Sequence, residues 1–232
     1  MPIGRSLFPL AVALVVARCG DPSQTAAVQQ PLTAAPHFVR WAGGTAPRFS
    51  ATVTTASGGG LQQSAGPLRL DLSAPGTLSL DRYAVSFWAV RGAERSVQIN
   101  YLSATGDTSS PFLQLTTEDP TYVPGQGWLA PGDSVLITVT VNPDTLKVSL
   151  EPTGLLFGTP AQLQVWYGGA GGDLNGDGVV DSVDTYIATN LLGMWYREGQ
   201  DSSWAPISAT QALDVSSFTS ALPHFSEYAV SW

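Results

Sequence analysis

Ser134-Val135-Leu136-Ile137-Thr138-Val139-Thr140-Val141 decides the fold class. Val135, Ile137, Val139 and Val141 alternate with Leu136, Thr138 and Thr140, the period of two that sends one set of side chains inward and the other outward from a strand. Working outward, 145–150 and 161–167 read the same way on the C-terminal side. On the N-terminal side 83–90, 96–102 and 112–116 are further short runs rich in Val, Ile, Tyr and Phe, and Leu68, Leu70 and Leu72 alternate with Arg69 and Asp71. Turn residues bound them: Ala74-Pro75-Gly76, Arg91-Gly92 and Thr105-Gly106-Asp107. Turns about ten residues apart favour a sandwich or barrel over alternating βα units. Residues 48–55 suit one more strand, which Gly58-Gly59-Gly60 breaks. Met194-Trp195-Tyr196-Arg197, Trp204-Ala205-Pro206-Ile207 and 225–232 resume the pattern. The expected fold is all-β, one or more β-sandwiches with an inserted cation loop and one short helix.

The sequence has 232 residues, enough for one large β domain or two small ones. Its 44% hydrophobic and 12% charged content is that of a chain that folds. A formal net charge of −8, with no basic patch, argues against a nucleic-acid partner. The N-terminus reads as an export signal: Arg5 supplies the positive region, and the apolar run 7–17 is too short to span a bilayer. The one cysteine, Cys19, follows directly and has no partner for an internal disulfide. Residues 1–19 are therefore a signal segment, 20–66 a flexible tether with at most one strand, 67–124 a β-sandwich part or domain, and 125–232 a second β-sandwich stretch.

Within that last stretch, Asp173-Leu174-Asn175-Gly176-Asp177-Gly178-Val179-Val180-Asp181-Ser182-Val183-Asp184 has the spacing of an EF-hand-type calcium loop. Oxygen-bearing side chains fall at loop positions 1, 3, 5, 9 and 12, and Gly178 holds position 6, where the chain turns sharply. A hard dication takes about six to eight oxygens. Asp173, Asn175 and Asp177 offer three, the carbonyl of Val179 a fourth, Asp181 a fifth directly or through water, and Asp184 closes the shell. Val180 is expected to point into apolar packing, and 184–192 to form the exiting helix, with Val183, Ile187 and Leu191 on one face and Gly193 as its stop. The loop reads as an insertion at a hairpin end between the strands of Tyr167 and Met194.

Three resemblances add to this reading. Val16-Ala17-Arg18-Cys19 resembles a bacterial lipobox, although Arg18 stands where a small residue is usual; the resemblance implies lipidation at Cys19 and a membrane anchor at the cell envelope, with ordinary secretion as the alternative. Residues 172–184 are similar to one calcium repeat of a dockerin, a family that places Asp at the last position. This chain has one repeat where dockerins have two, so cohesin binding does not carry over. Glu151-Pro152-Thr153-Gly154-Leu155-Leu156-Phe157-Gly158-Thr159-Pro160-Ala161-Gln162-Leu163, Met194-Trp195-Tyr196-Arg197 with Trp204-Ala205-Pro206-Ile207, and His224-Phe225-Ser226-Glu227-Tyr228 resemble the ZU-five sandwich domain of zonula occludens proteins, netrin receptors, ankyrins and many bacterial surface proteins. The usual Pro-Gly-Ala-Leu opening of that domain is Ala130-Pro131-Gly132-Asp133 here. That resemblance, over 125–232, implies a sandwich used for interaction with a protein or polysaccharide partner and not for catalysis.

Two other functions compete with a calcium-stabilised scaffold. In self-cleaving relatives of the ZU-five domain a His-Phe-Ser turn breaks before its serine; here Ser226 Oγ would attack the Phe225 carbonyl with His224 as base, in an acyl shift followed by hydrolysis. The reading without chemistry has Pro223-His224 turning the chain into its last strand, with Phe225 in the core. No other catalytic set appears: His37 and His224 are the only histidines, and no nucleophile elbow, Walker loop or zinc-protease motif occurs. Seven Trp and seven Tyr suggest a carbohydrate-binding module. Against it, strand aromatics such as Trp88, Trp166, Trp195 and Trp204 are expected to serve as core.

Overall fold

Leu136 faces solvent while Val135, Ile137, Val139 and Val141 are buried, so the alternation of the 134–141 stretch becomes a two-faced strand. In the computed structural model, which describes residues 36–55, 83–102, 109–199 and 202–232, the strands form two antiparallel sheets. One holds, in spatial order, β1 (Phe49–Thr55), β3 (Arg95–Leu102), β4 (Ser109–Thr117), β9 (Leu156–Trp166), β13 (Ser217–His224) and β12 (Thr210–Ala212). β5 (Pro120–Val123) adds to the first part of β9 and carries β6 (Gly127–Trp128). The other sheet runs β11 (Ala205–Ile207), β10 (Gly193–Arg197), β14 (Glu227–Ser231), β8 (Lys147–Glu151), β7 (Ser134–Val141) and β2 (Ala84–Val90). Their inner faces share one core, in which Ile137 and Leu150 of one sheet and Phe112 and Leu163 of the other belong to the same cluster. Each such side chain contributes about 1.5–3 kcal/mol by leaving water. The all-β sandwich expected from the sequence is the fold observed, with one short α-helix, α1 (Ser182–Tyr186).

Strands before and after residue 125 interleave in both sheets. β2 pairs with β7 over seven residues, and β4 pairs with β9 from Leu113↔Val165 to Thr116↔Gln162. Residues 84–123 and 127–231 are thus parts of one sandwich, and position 125 is only the tip of the β5–β6 hairpin.

The tether expected over 20–66 is corrected in part. Residues 49–55 form the one anticipated strand, but 36–41 are also built into the sandwich. His37 and Trp232 exchange backbone hydrogen bonds, Val39 donates to Val230, and Leu146 donates to Val39, which wedges the segment between the end of β14 and the approach to β8. The cause is burial: Val39 and Trp41 lie in the core, and Trp41 donates its indole N–H to the Asn142 carbonyl at 3.0 Å. The proposed signal segment, Cys19, the Leu68-Leu70-Leu72 strand and the turns at 74–76 and 105–107 lie outside the described residues.

Among the described residues no helix is long and apolar enough to cross a membrane.

Candidate metal centre

The 173–184 loop occupies a different place from the hairpin end expected. It leaves β9 in one sheet and returns as β10 in the other, and these two strands do not pair. The loop is therefore part of a crossover between the layers.

Its turns follow from short polar side chains bonding their own backbone. Asp173 accepts from Gly176 N–H at 2.7 Å and from Gly178 N–H at 2.9 Å. Asn175 Oδ1 accepts from Asp177 N–H at 2.9 Å, and Asp177 Oδ1 from Val179 N–H at 2.8 Å. Gly178 has φ +89°, a left-handed conformation that a side chain would strain, which explains glycine at loop position 6. Asp181 caps α1 by accepting from Val183 N–H at 2.7 Å, and Asp184 completes a reciprocal capping box through Asp181 N–H at 2.9 Å.

Asp184 does more than cap. It is 3% exposed, and its other oxygen accepts from Leu174 N–H at 2.7 Å and Asn175 N–H at 3.2 Å, tying the end of the loop to its beginning. The N–H of Asp181, with those of Leu174 and Asn175, holds its carboxyl below the usual carboxylate range, against the opposing effect of desolvation. A depressed pKa in the fold means that this group's contribution is complete above its unfolded pKa of about 3.9 and is lost as pH falls through the folded value. Asp184→Asn should accordingly flatten the fall in stability below about pH 4, as read from urea midpoints in chelator.

Two expectations about the loop's apolar residues are corrected. Val180 is 65% exposed rather than packed inward. Val183 also faces solvent while Asp184 is turned in. Asp184 must face inward to reach Leu174 and Asn175, which rotates Val183 outward. The single exiting helix is a five-residue α-turn followed by a π-helical turn, Ile187–Leu191, with Ile187 at the junction buried in the core.

The loop is anchored by residues far away in sequence. Leu174 is buried, and its carbonyl accepts from Trp232 Nε1–H at 3.3 Å. Tyr101 donates its hydroxyl to the Trp166 carbonyl at 2.7 Å and accepts from Gly169 N–H at 3.1 Å, fixing the Gly-rich stem. A Cβ at Gly169 would meet the Tyr101 ring at 2.7 Å, so that glycine is required by close approach. Gln211 holds the exit by donating to the Ala188 carbonyl at 2.8 Å. None of these anchors belongs to a sequence motif.

All the loop donors are hard oxygens, the set a calcium-sized dication prefers. An ionised carboxylate has about four acceptor positions. The backbone bonds above take one or two from each of Asp173, Asp177 and Asp181, so acceptor capacity remains on each. Among the described residues, however, no group of three or more His, Cys, Asp or Glu side chains is gathered as it stands around a common point suited to a metal. The donor set and the spacing fit the ion; the side chains are turned toward their own backbone.

At the His224-Phe225-Ser226 turn, Phe225 is fully buried and the chain turns from β13 into β14. Ser226 donates its hydroxyl to the Arg197 carbonyl. His224 Nε2 lies 3.4 Å from Glu198 Oε1, and its Nδ1 lies 3.4 Å from the Phe225 carbonyl oxygen. The hydroxyl is thus directed at Arg197, and the imidazole's polar neighbours are Glu198 and Phe225.

Trp41 is in the core, but the four tryptophans expected there depart from that role. Trp88 is 59% and Trp128 75% exposed, and Trp166, Trp195 and Trp204 are partly exposed. Trp128 and Tyr122 meet edge to face at 5.3 Å.

No family model, no curated protein and no solved structure matches the chain.

Proposed function

We propose that the protein is a non-enzymatic envelope or surface domain, a calcium-stabilised β-sandwich serving as scaffold or interaction module. One ion would be held by Asp173, Asn175, Asp177, the Val179 carbonyl, Asp181 and Asp184. The observation that carries the reading is the loop itself: position 6 is a left-handed glycine, and Asp184 bridges the two ends of a segment that joins the sheets. Calcium there would neutralise part of the repulsion among four carboxylates in twelve residues. The export-like N-terminus and Cys19 support an envelope address with a lipid anchor, and the ZU-five-like motifs support interaction as the role. Calorimetric titration of the chelator-stripped full chain should give one calcium site per molecule, and an absence of binding at millimolar calcium would sink the proposal.

A second reading, sugar binding, is favoured by the exposed indoles. Trp88 lies opposite the exposed Leu136 on the outer face of β2 and β7, and Trp128 stands beside Tyr122. Solvent-facing rings of this kind are large apolar surfaces available for stacking.

A further inference from the structure

A cleft of about 470 Å³ is lined by residues of β9 and β13 in one sheet, of β10 and β14 in the other, and of the 207–210 connection between the sheets. Its volume falls within the range of about 300–1,000 Å³ usual for small-ligand sites. Two hydrogen bonds brace its walls: Ser220 donates its hydroxyl to the Ser208 carbonyl at 2.8 Å, and Tyr228 donates to the His224 carbonyl at 2.7 Å. Five other polar side chains of the lining, Gln162, Tyr196, Ser208, Thr210 and Thr219, have no hydrogen-bond partner among the described residues. Among those residues the lining holds no Asp, Glu, Lys or Arg. Its one group that titrates near neutrality, His224, has Glu198 at 3.4 Å.

These groups narrow the ligand. An anion would find no lysine or arginine in the lining, on a chain of net charge −8, and a cation would find no carboxylate. An apolar molecule would take water from five unbonded polar groups and return no hydrogen bond. An uncharged molecule with several hydroxyls meets both conditions, since each hydroxyl donates and accepts. We propose that the cleft binds a neutral saccharide. The inference rests on the sugar-binding reading, names the class of sugar and places it apart from the exposed indoles. The Gln162 amide, a donor and an acceptor side by side, suits two adjacent hydroxyls. The half-buried Tyr196 ring offers a surface to the apolar face of a pyranose. The same chemistry continues beyond the cleft: Thr219 shares one register row with Gln164, Gln114 and Gln98 on the outer face of the sheet. Further sugars of a neutral chain can follow that row, across strands about 4.8 Å apart.

The test is calorimetric titration of the full-length protein with cellotetraose, mannotetraose, tetragalacturonate and a tetraserine peptide blocked at both ends. At least one neutral tetrasaccharide should bind roughly tenfold or more tightly than tetragalacturonate and the peptide, with an affinity that sodium chloride leaves unchanged. Gln162→Ala and Thr219→Val, both at exposed positions, should each weaken it about fivefold. Trp88→Ala and Trp128→Ala should leave it unaltered, and melting curves check that each variant folds. Binding lost in the tryptophan variants but kept in Gln162→Ala and Thr219→Val would overturn the inference and leave sugar binding standing on the indoles. Tetragalacturonate or the peptide binding as tightly as the neutral sugars would overturn the neutral-saccharide assignment. Failure of both neutral tetrasaccharides to bind would overturn both readings.

Discussion

Asp177→Ala in millimolar calcium should melt at the temperature that the wild type shows in chelator. With free calcium at about 100 times Kd, an ion that binds only the folded chain adds about 2.7 kcal/mol. For a β domain of this size that corresponds to roughly 5–11 °C of melting temperature. Asp177 suits the experiment because its carboxylate bonds only within the exposed part of the loop, to Val179 N–H and Asn175 Nδ2–H. Its removal therefore leaves the anchors at Leu174 and Trp232 in place. In chelator the variant and the wild type should melt within a degree or two of each other. Identical wild-type curves with and without calcium would remove the structural role.

Much of this was legible in the sequence because it is local. The period-two pattern of 134–141 is a property of eight neighbouring residues, and the loop's turns depend on side chains bonding within five residues of themselves. What was illegible is long-range. Nothing near Leu174 announces Trp232, and nothing near Gly169 announces Tyr101. β12, β13 and the first part of β9 escaped the strand reading. Pro223 and Pro160 interrupt two of them, and β12 is three residues long. The inward turn of Asp184 was hidden for a related reason: a carboxylate on an apolar face is paradoxical until the N–H groups it satisfies are in view.

Trp41→Ala should cost about 3–5 kcal/mol. The indole is buried against Phe49 and Phe112, with ring centroids 5.6 and 5.1 Å away, and it donates to the Asn142 carbonyl. Truncation leaves a cavity where the N-terminal segment meets both sheets, and an acceptor without its donor. Urea unfolding measures it, with Trp128→Ala as the comparison. That exposed ring should change stability by no more than about 0.5 kcal/mol. If the two variants proved equally mild, residues 36–41 would be a tether after all.

The interleaving of early and late strands bears on when the molecule acquires its shape. β8 meets β14 only after residue 227 exists, and β9, already bonded to β4, needs β13 to complete its other side. Without residues 217–231 both strands would keep raw edges. High contact order of this kind makes folding slow, because distant strands must meet before either sheet is complete.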